Sequence, residues 1–173
     1  MNNDQQQHLD NALLQVRKMF NATVTYISNM PVGQRLPASK ISGIIGEQFG
    51  MNGAKFYTIN SLIMDNFPGT SIGFGKNDGG FRKFADTIPD QAEAHLEEIM
   101  ADVRKAFDYA IVKMDALKPG DRLSNKDLAE ECAKLIGKEK QQFYYTLRIL
   151  LQDYPGVEIK RGRSGGIKLK EEI

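Results

Sequence analysis

Apolar side chains recur at steps of three and four near the start of the chain: Leu9, Leu13, Val16, Phe20, Val24 and Ile27. That spacing lays one apolar stripe along an amphipathic helix. The stripe is written again in Leu96, Met100, Val103, Phe107, Ile111 and Met114. A Pro/Gly turn follows each, Met30-Pro31-Val32-Gly33 and Leu117-Lys118-Pro119-Gly120, and ends the helix. The Arg-Leu step after each turn is a candidate for a brief strand. Second helices are predicted over about 38–49 and about 125–136, with Ser124 as N-cap and Gly50 and Gly137 as C-cap glycines. Third helices are predicted over roughly 52–66 and 139–153. Their buried faces are Phe56, Ile59, Leu62 and Ile63, and Phe143, Leu147, Leu150 and Leu151. Alternation in Val157–Lys160 and 167–170, around the glycine-rich 161–166, predicts a closing hairpin.

The parallel extends beyond hydrophobicity, at an offset of 87 positions. Val-Arg-Lys at 16–18 returns at 103–105, Phe56-Tyr57 as Phe143-Tyr144, and Phe67-Pro68-Gly69 as Tyr154-Pro155-Gly156. A Gly-Gly pair closes each copy at 79–80 and 165–166. The chain therefore reads as two similarly folded modules, 1–86 and 87–173, mainly α with small β-hairpins (α+β). Residues 85–92 read as the linker, with Pro89 opening the next helix. The first helices are long for modules this small, so part of each stripe is expected to pack the repeats together.

Helix, short strand, helix, turn, helix and two-stranded ribbon is the order of a winged helix-turn-helix. Pro119-Gly120-Asp121-Arg122-Leu123, Asp127-Leu128-Ala129-Glu130-Glu131 and Lys160-Arg161-Gly162-Arg163-Ser164-Gly165-Gly166 resemble the DNA-binding half of GntR-type bacterial regulators. The first copy fits the same frame through Pro31-Val32-Gly33-Gln34-Arg35-Leu36-Pro37. The second helices run about one turn longer than in that family, so the resemblance is to the winged-helix superfamily. It implies a double-stranded DNA-binding regulator of transcription, replication or DNA segregation, of bacterial, plasmid or phage type. Lys140 falls where such regulators place a phosphate- or base-contacting arginine, and Gln141 and Gln142 fall on their base-reading pair.

The residues support that expectation independently. Net charge is only +1, yet residues 138–170 carry 8 Lys/Arg against 3 Asp/Glu, a local excess of +5. A helix tip reaches base edges in the major groove, and the exposed positions there are Lys138, Lys140, Gln141, Gln142, Tyr145 and Arg148. Arg161 and Arg163 flank glycines in a loop suited to a narrow minor groove. Arg122 and Lys126 fall near the DNA backbone at the start of helix two. The first copy keeps only Lys55 and Lys76 at its equivalent positions, with Asn77 and Asp78 beside the latter. It reads either as a weak second reader or as a packing, dimerisation or protein-binding module.

No catalytic, cofactor or metal site is expected. His8 and His95 lack partners at ligand spacing, and Cys132 sits where small core filler belongs. Gly73-Phe74-Gly75 and Gly79-Gly80 lack the lysine and the following helix of a phosphate loop. The lone cysteine, the polar amino terminus and the absence of a long apolar run predict a cytoplasmic protein without membrane contact. Two rival readings remain. One is a tandem scaffold that holds a protein partner or a second copy through the first helices or the N-terminal module. The other is RNA or single-stranded nucleic acid binding, with Tyr144 and Tyr145 stacking on bases.

Overall fold

The two apolar stripes form helices of 26 and 27 residues, α1 (Asn3–Ser28) and α4 (Pro89–Asp115). The structure, a computed structural model, describes residues 1–51, 53–73, 79–161 and 165–170. After α1 come β1 (Arg35–Leu36), α2 (Ala38–Ile44), a 3-10 turn (Gly46–Phe49), α3 (Gly53–Ile63), β2 (Thr70–Gly73) and β3 (Gly80–Lys83). After α4 come α5 (Asn125–Leu135), α6 (Lys140–Leu151), β4 (Val157–Lys160) and β5 (Gly166–Leu169). The protein is thus mainly helical with small antiparallel sheets. The first sheet has the order β1-β3-β2, and the second pairs β4 with β5. In the second repeat the Arg-Leu step makes a single bridge, Leu123 to Ile167, in place of a strand.

Local chemistry sets the ends. Pro89 opens α4, and the Ser124 hydroxyl accepts the Asp127 N–H at 3.3 Å to cap α5. Gly50 and Gly137 close their helices in the left-handed region, at φ 65° and 69°. The first of the second helices is shorter than expected, ending at Ile44 before the 3-10 turn. Gly46 there lies so close to Phe56 that an added Cβ would stand 3.2 Å from its side chain.

Phe56, Ile59, Leu62 and Ile63 are buried on α3, as are Phe143, Leu147, Leu150 and Leu151 on α6. On α1 the buried face is broader than the predicted stripe. Leu13 and Val24 are only half-buried, while Ala12, Met19 and Thr23 are buried.

The compact units are not the repeats divided between residues 86 and 87. One unit comprises Met1–Gln15 with Ala101–Ile173, and the other comprises Val16–Met100. Each long helix gives its first half to the unit built by the other repeat. At 1.5 Å per residue such a helix is about 39 Å long, more than one small module can cover. The exchanged contacts match at the repeat spacing. In one unit His8 Nε2 lies 2.6 Å from the Leu150 carbonyl oxygen and its ring stands edge-on to Tyr154. In the other, His95 Nε2 lies 3.0 Å from the Ile63 carbonyl oxygen and its ring stands edge-on to Phe67. Both histidines are thereby structural donors at the end of a third helix.

Candidate nucleic-acid interface

In the C-terminal unit, the start of α5, the exposed flank of α6 and the root of the β4–β5 hairpin enclose an open cleft of about 690 Å³. Arg122, Lys126, Arg148 and Arg161, four of the sequence-predicted residues, line it. Among the described residues, Lys160 is a fifth cation and none of the lining residues is acidic. Lys160 Nζ lies 3.4 Å from Glu158 Oε1, but that pair is exposed and screened by solvent. The cleft also takes in Asn125 and Gln152, which the sequence reading did not select, and Tyr144, which it named only for stacking on bases. The recurrence of Tyr144 within the Phe-Tyr pair marked it as part of the repeat, but nothing local marked it as facing a cleft.

Five more of the predicted residues lie in or beside the first turns of α6. Lys140 and Gln141 are exposed there, and Lys138 and Tyr145 are half-buried. Tyr145 packs edge-on to Tyr144, with ring centroids 5.1 Å apart. Gln142 is distinct from Gln141: its Oε1 accepts the Glu139 N–H at 3.0 Å, forming a capping box at the helix start. Gln141 is therefore the better presented of the two for base contact. Arg163 and Lys76 lie outside the described residues, as do Gly162, Ser164, Asn77 and Asp78.

The glycines of the second Gly-Gly pair serve the hairpin itself. A Cβ on Gly166, at φ 121°, would stand 2.7 Å from the Leu123 carbonyl oxygen, so this position needs glycine to bridge to Leu123. Gly80 holds the equivalent place against Leu36 in the other unit.

In the N-terminal unit, the counterparts of two cleft residues bond to the backbone of their own hairpin. Arg35, the counterpart of Arg122, donates from Nε to the Gly79 carbonyl at 2.9 Å. Tyr57, the counterpart of Tyr144, donates to the Gly73 carbonyl and accepts the Gly80 N–H at 2.9 Å. Burial pushes the Tyr57 hydroxyl above its usual range, although its bonds to Gly80 and Gly73 and the Arg35 charge pull the other way. Ser61 and Asp65 stand at the positions equivalent to Arg148 and Gln152. Lys55 is half-buried on α3.

Comparison with known proteins returns no match to a family model, a curated protein or a solved structure. Among the described residues, no helix is long and apolar enough to cross a membrane.

Proposed function

We propose that the two units are tandem winged helix-turn-helix modules and that the C-terminal one binds double-stranded DNA. The observation that carries this reading is the gathering of Arg122, Lys126, Arg148, Lys160 and Arg161 around one cleft beside the exposed tip of α6. In this reading Lys140 and Gln141 enter the major groove, and the hairpin with Arg161 follows the adjoining backbone. The role is that of a non-enzymatic regulator of transcription, replication or DNA segregation. The N-terminal unit, with Ser39 and Ser61 at the positions equivalent to Lys126 and Arg148, serves packing or protein docking in place of strong DNA contact.

Selection from a random duplex library with the full chain at low salt tests the proposal. An enriched sequence is expected, with affinity falling as salt rises. Lys140→Ala should lower the magnitude of the log affinity against log salt slope by about one. Changing Gln141 should shift sequence preference more than non-specific affinity. Absence of duplex binding at low salt, together with stable retention of a protein partner, transfers the assignment to the scaffold reading.

A further inference from the structure

The cationic cleft has its electrostatic opposite elsewhere on the chain. Residues 84–100 hold five carboxylates, Asp86, Asp90, Glu93, Glu97 and Glu98, and no lysine or arginine. All five residues are exposed. Asp90, Glu93 and Glu97 follow at helical steps of three and four, on the side of α4 away from buried Leu96, Ile99 and Val103. The helix dipole accounts for Asp90 in the first turn, but its reach ends before Glu97 and Glu98. Within their own unit, Asp86 lies 3.8 Å from Lys83 and Glu97 lies 3.7 Å from Arg17. The Glu97 pair is exposed and screened by solvent. Phe84 and Ile88, at 60% and 51% exposure, stand in the same acidic run. Large apolar side chains rimmed by charge are the make-up of a contact surface.

The cleft carries the reverse arrangement. Its five cations surround Ile159, itself 37% exposed, and Tyr144. With a net charge of only +1, two copies of the chain repel one another little at long range. We propose that this cleft receives the acidic face of a second copy. Asp90, Glu93 and Glu97 then meet its cations, and Phe84 and Ile88 meet Ile159 and Tyr144. The contact is heterologous: each copy offers one acidic face and one cleft, so copies add head to tail. Opposed charges fix the register of such a contact and make it sensitive to salt. The self-contact does not rest on the DNA reading. Where both hold, carboxylates and phosphates compete for the same cations.

Sedimentation velocity on the full chain over rising concentration tests the proposal. At low salt the mean mass should climb above that of one chain. It should return to one chain at about 1 M salt, where the screening length is about 3 Å. An acid-reversed variant (Glu93→Lys with Glu97→Lys) and a cleft-reversed variant (Lys126→Glu with Arg161→Glu) alter exposed positions only. Each should weaken association about tenfold or more. Lys40→Glu with Lys113→Glu, at exposed positions outside both faces, makes the same change in net charge as the cleft reversal and should not weaken it. An equimolar mixture of the two reversed variants is the sharpest arm. Each keeps the face the other lacks, so the mixture should form pairs of chains and nothing larger, which also shows that both are folded. Duplex titration runs alongside: under the DNA reading the acid-reversed variant binds at least as tightly as the native chain, and Arg148→Gln loses about tenfold. Association that follows both faces without duplex binding upholds the proposal and removes the DNA reading. Duplex binding by a chain whose mass stays that of one copy at every concentration overturns the proposal and leaves the DNA reading standing. Association indifferent to either reversal, or weakened as much by Lys40→Glu with Lys113→Glu, overturns it as well.

Discussion

Lys83 carries its charge into the interior at only 2% exposure. Its ammonium donates to the carbonyls of Ile27, Ser28 and Met30 at 2.9, 3.2 and 2.7 Å, closing the end of α1. The four terminal carbonyls of a helix lack partners within it, and a cation also suits that end of the dipole. Lys83→Met keeps the stem but leaves those carbonyls unsatisfied. It should cost about 2–4 kcal/mol in urea unfolding, and an unchanged midpoint would remove the capping role. Cys132 is a second buried residue with a measurable consequence. Burial, aided by the nearby Glu131 charge, pushes its thiol from 9.0 up to about 12. The folded chain then holds a proton that the unfolded chain releases, so stability falls as pH rises above about 9 and continues to fall toward 12. Tyr154, raised by burial and Asp115 to about 12, acts in the same direction above 10.0. Cys132→Ala should flatten the alkaline part of a stability–pH curve, and the native thiol should resist labelling at pH 8.

At the scale of elements, the two long helices each support two units. Leu9 is fully buried in a unit otherwise built from the second repeat, and Leu96 is buried at 4% exposure in the unit of Val16–Met100. Leu9→Ala should therefore speed amide exchange in α6, and Leu96→Ala in α3, at a cost of about 2–4 kcal/mol each. The reverse pattern, with each variant loosening its own repeat, would contradict the exchange. Helix positions were legible because burial repeats every 3.6 residues, and Ser124, Gly50 and Gly137 marked their ends. Partner choice was not legible. Two stripes with equivalent residues at 87-residue spacing present the same apolar code, and only packing decides which third helix each meets. The 3-10 turn after α2 was hidden for a similar reason, since Gly46 yields to Phe56 on another element.

For the whole molecule, net charge of +1 conceals the relevant distribution. The excess over 138–170 directs attention to α6 and the hairpin. Sequence alone did not bring Arg122 and Lys126, from before that run, to one cleft with Arg148 and Arg161. Nor did it reveal that Tyr57 and Arg35 bond to the backbone of their own hairpin, or that Ser61, the counterpart of Arg148, is buried. That difference yields an expectation for charge transfer between repeats. Ser61→Arg should add little duplex affinity at low salt, because Ser61 is buried and its hydroxyl donates to the Thr58 carbonyl at 2.6 Å. Titration against a fixed duplex checks this, and a gain comparable to the loss in Arg148→Gln would mean the first unit is open to DNA.

The exchanged helices also bind the fates of the two repeats. Severing the polypeptide between residues 86 and 87 strips each fragment of the splint over its third helix, supplied by the sister fragment. A substitution at His8 or Leu9 is thus felt structurally in the cationic module, although it is written in the other repeat.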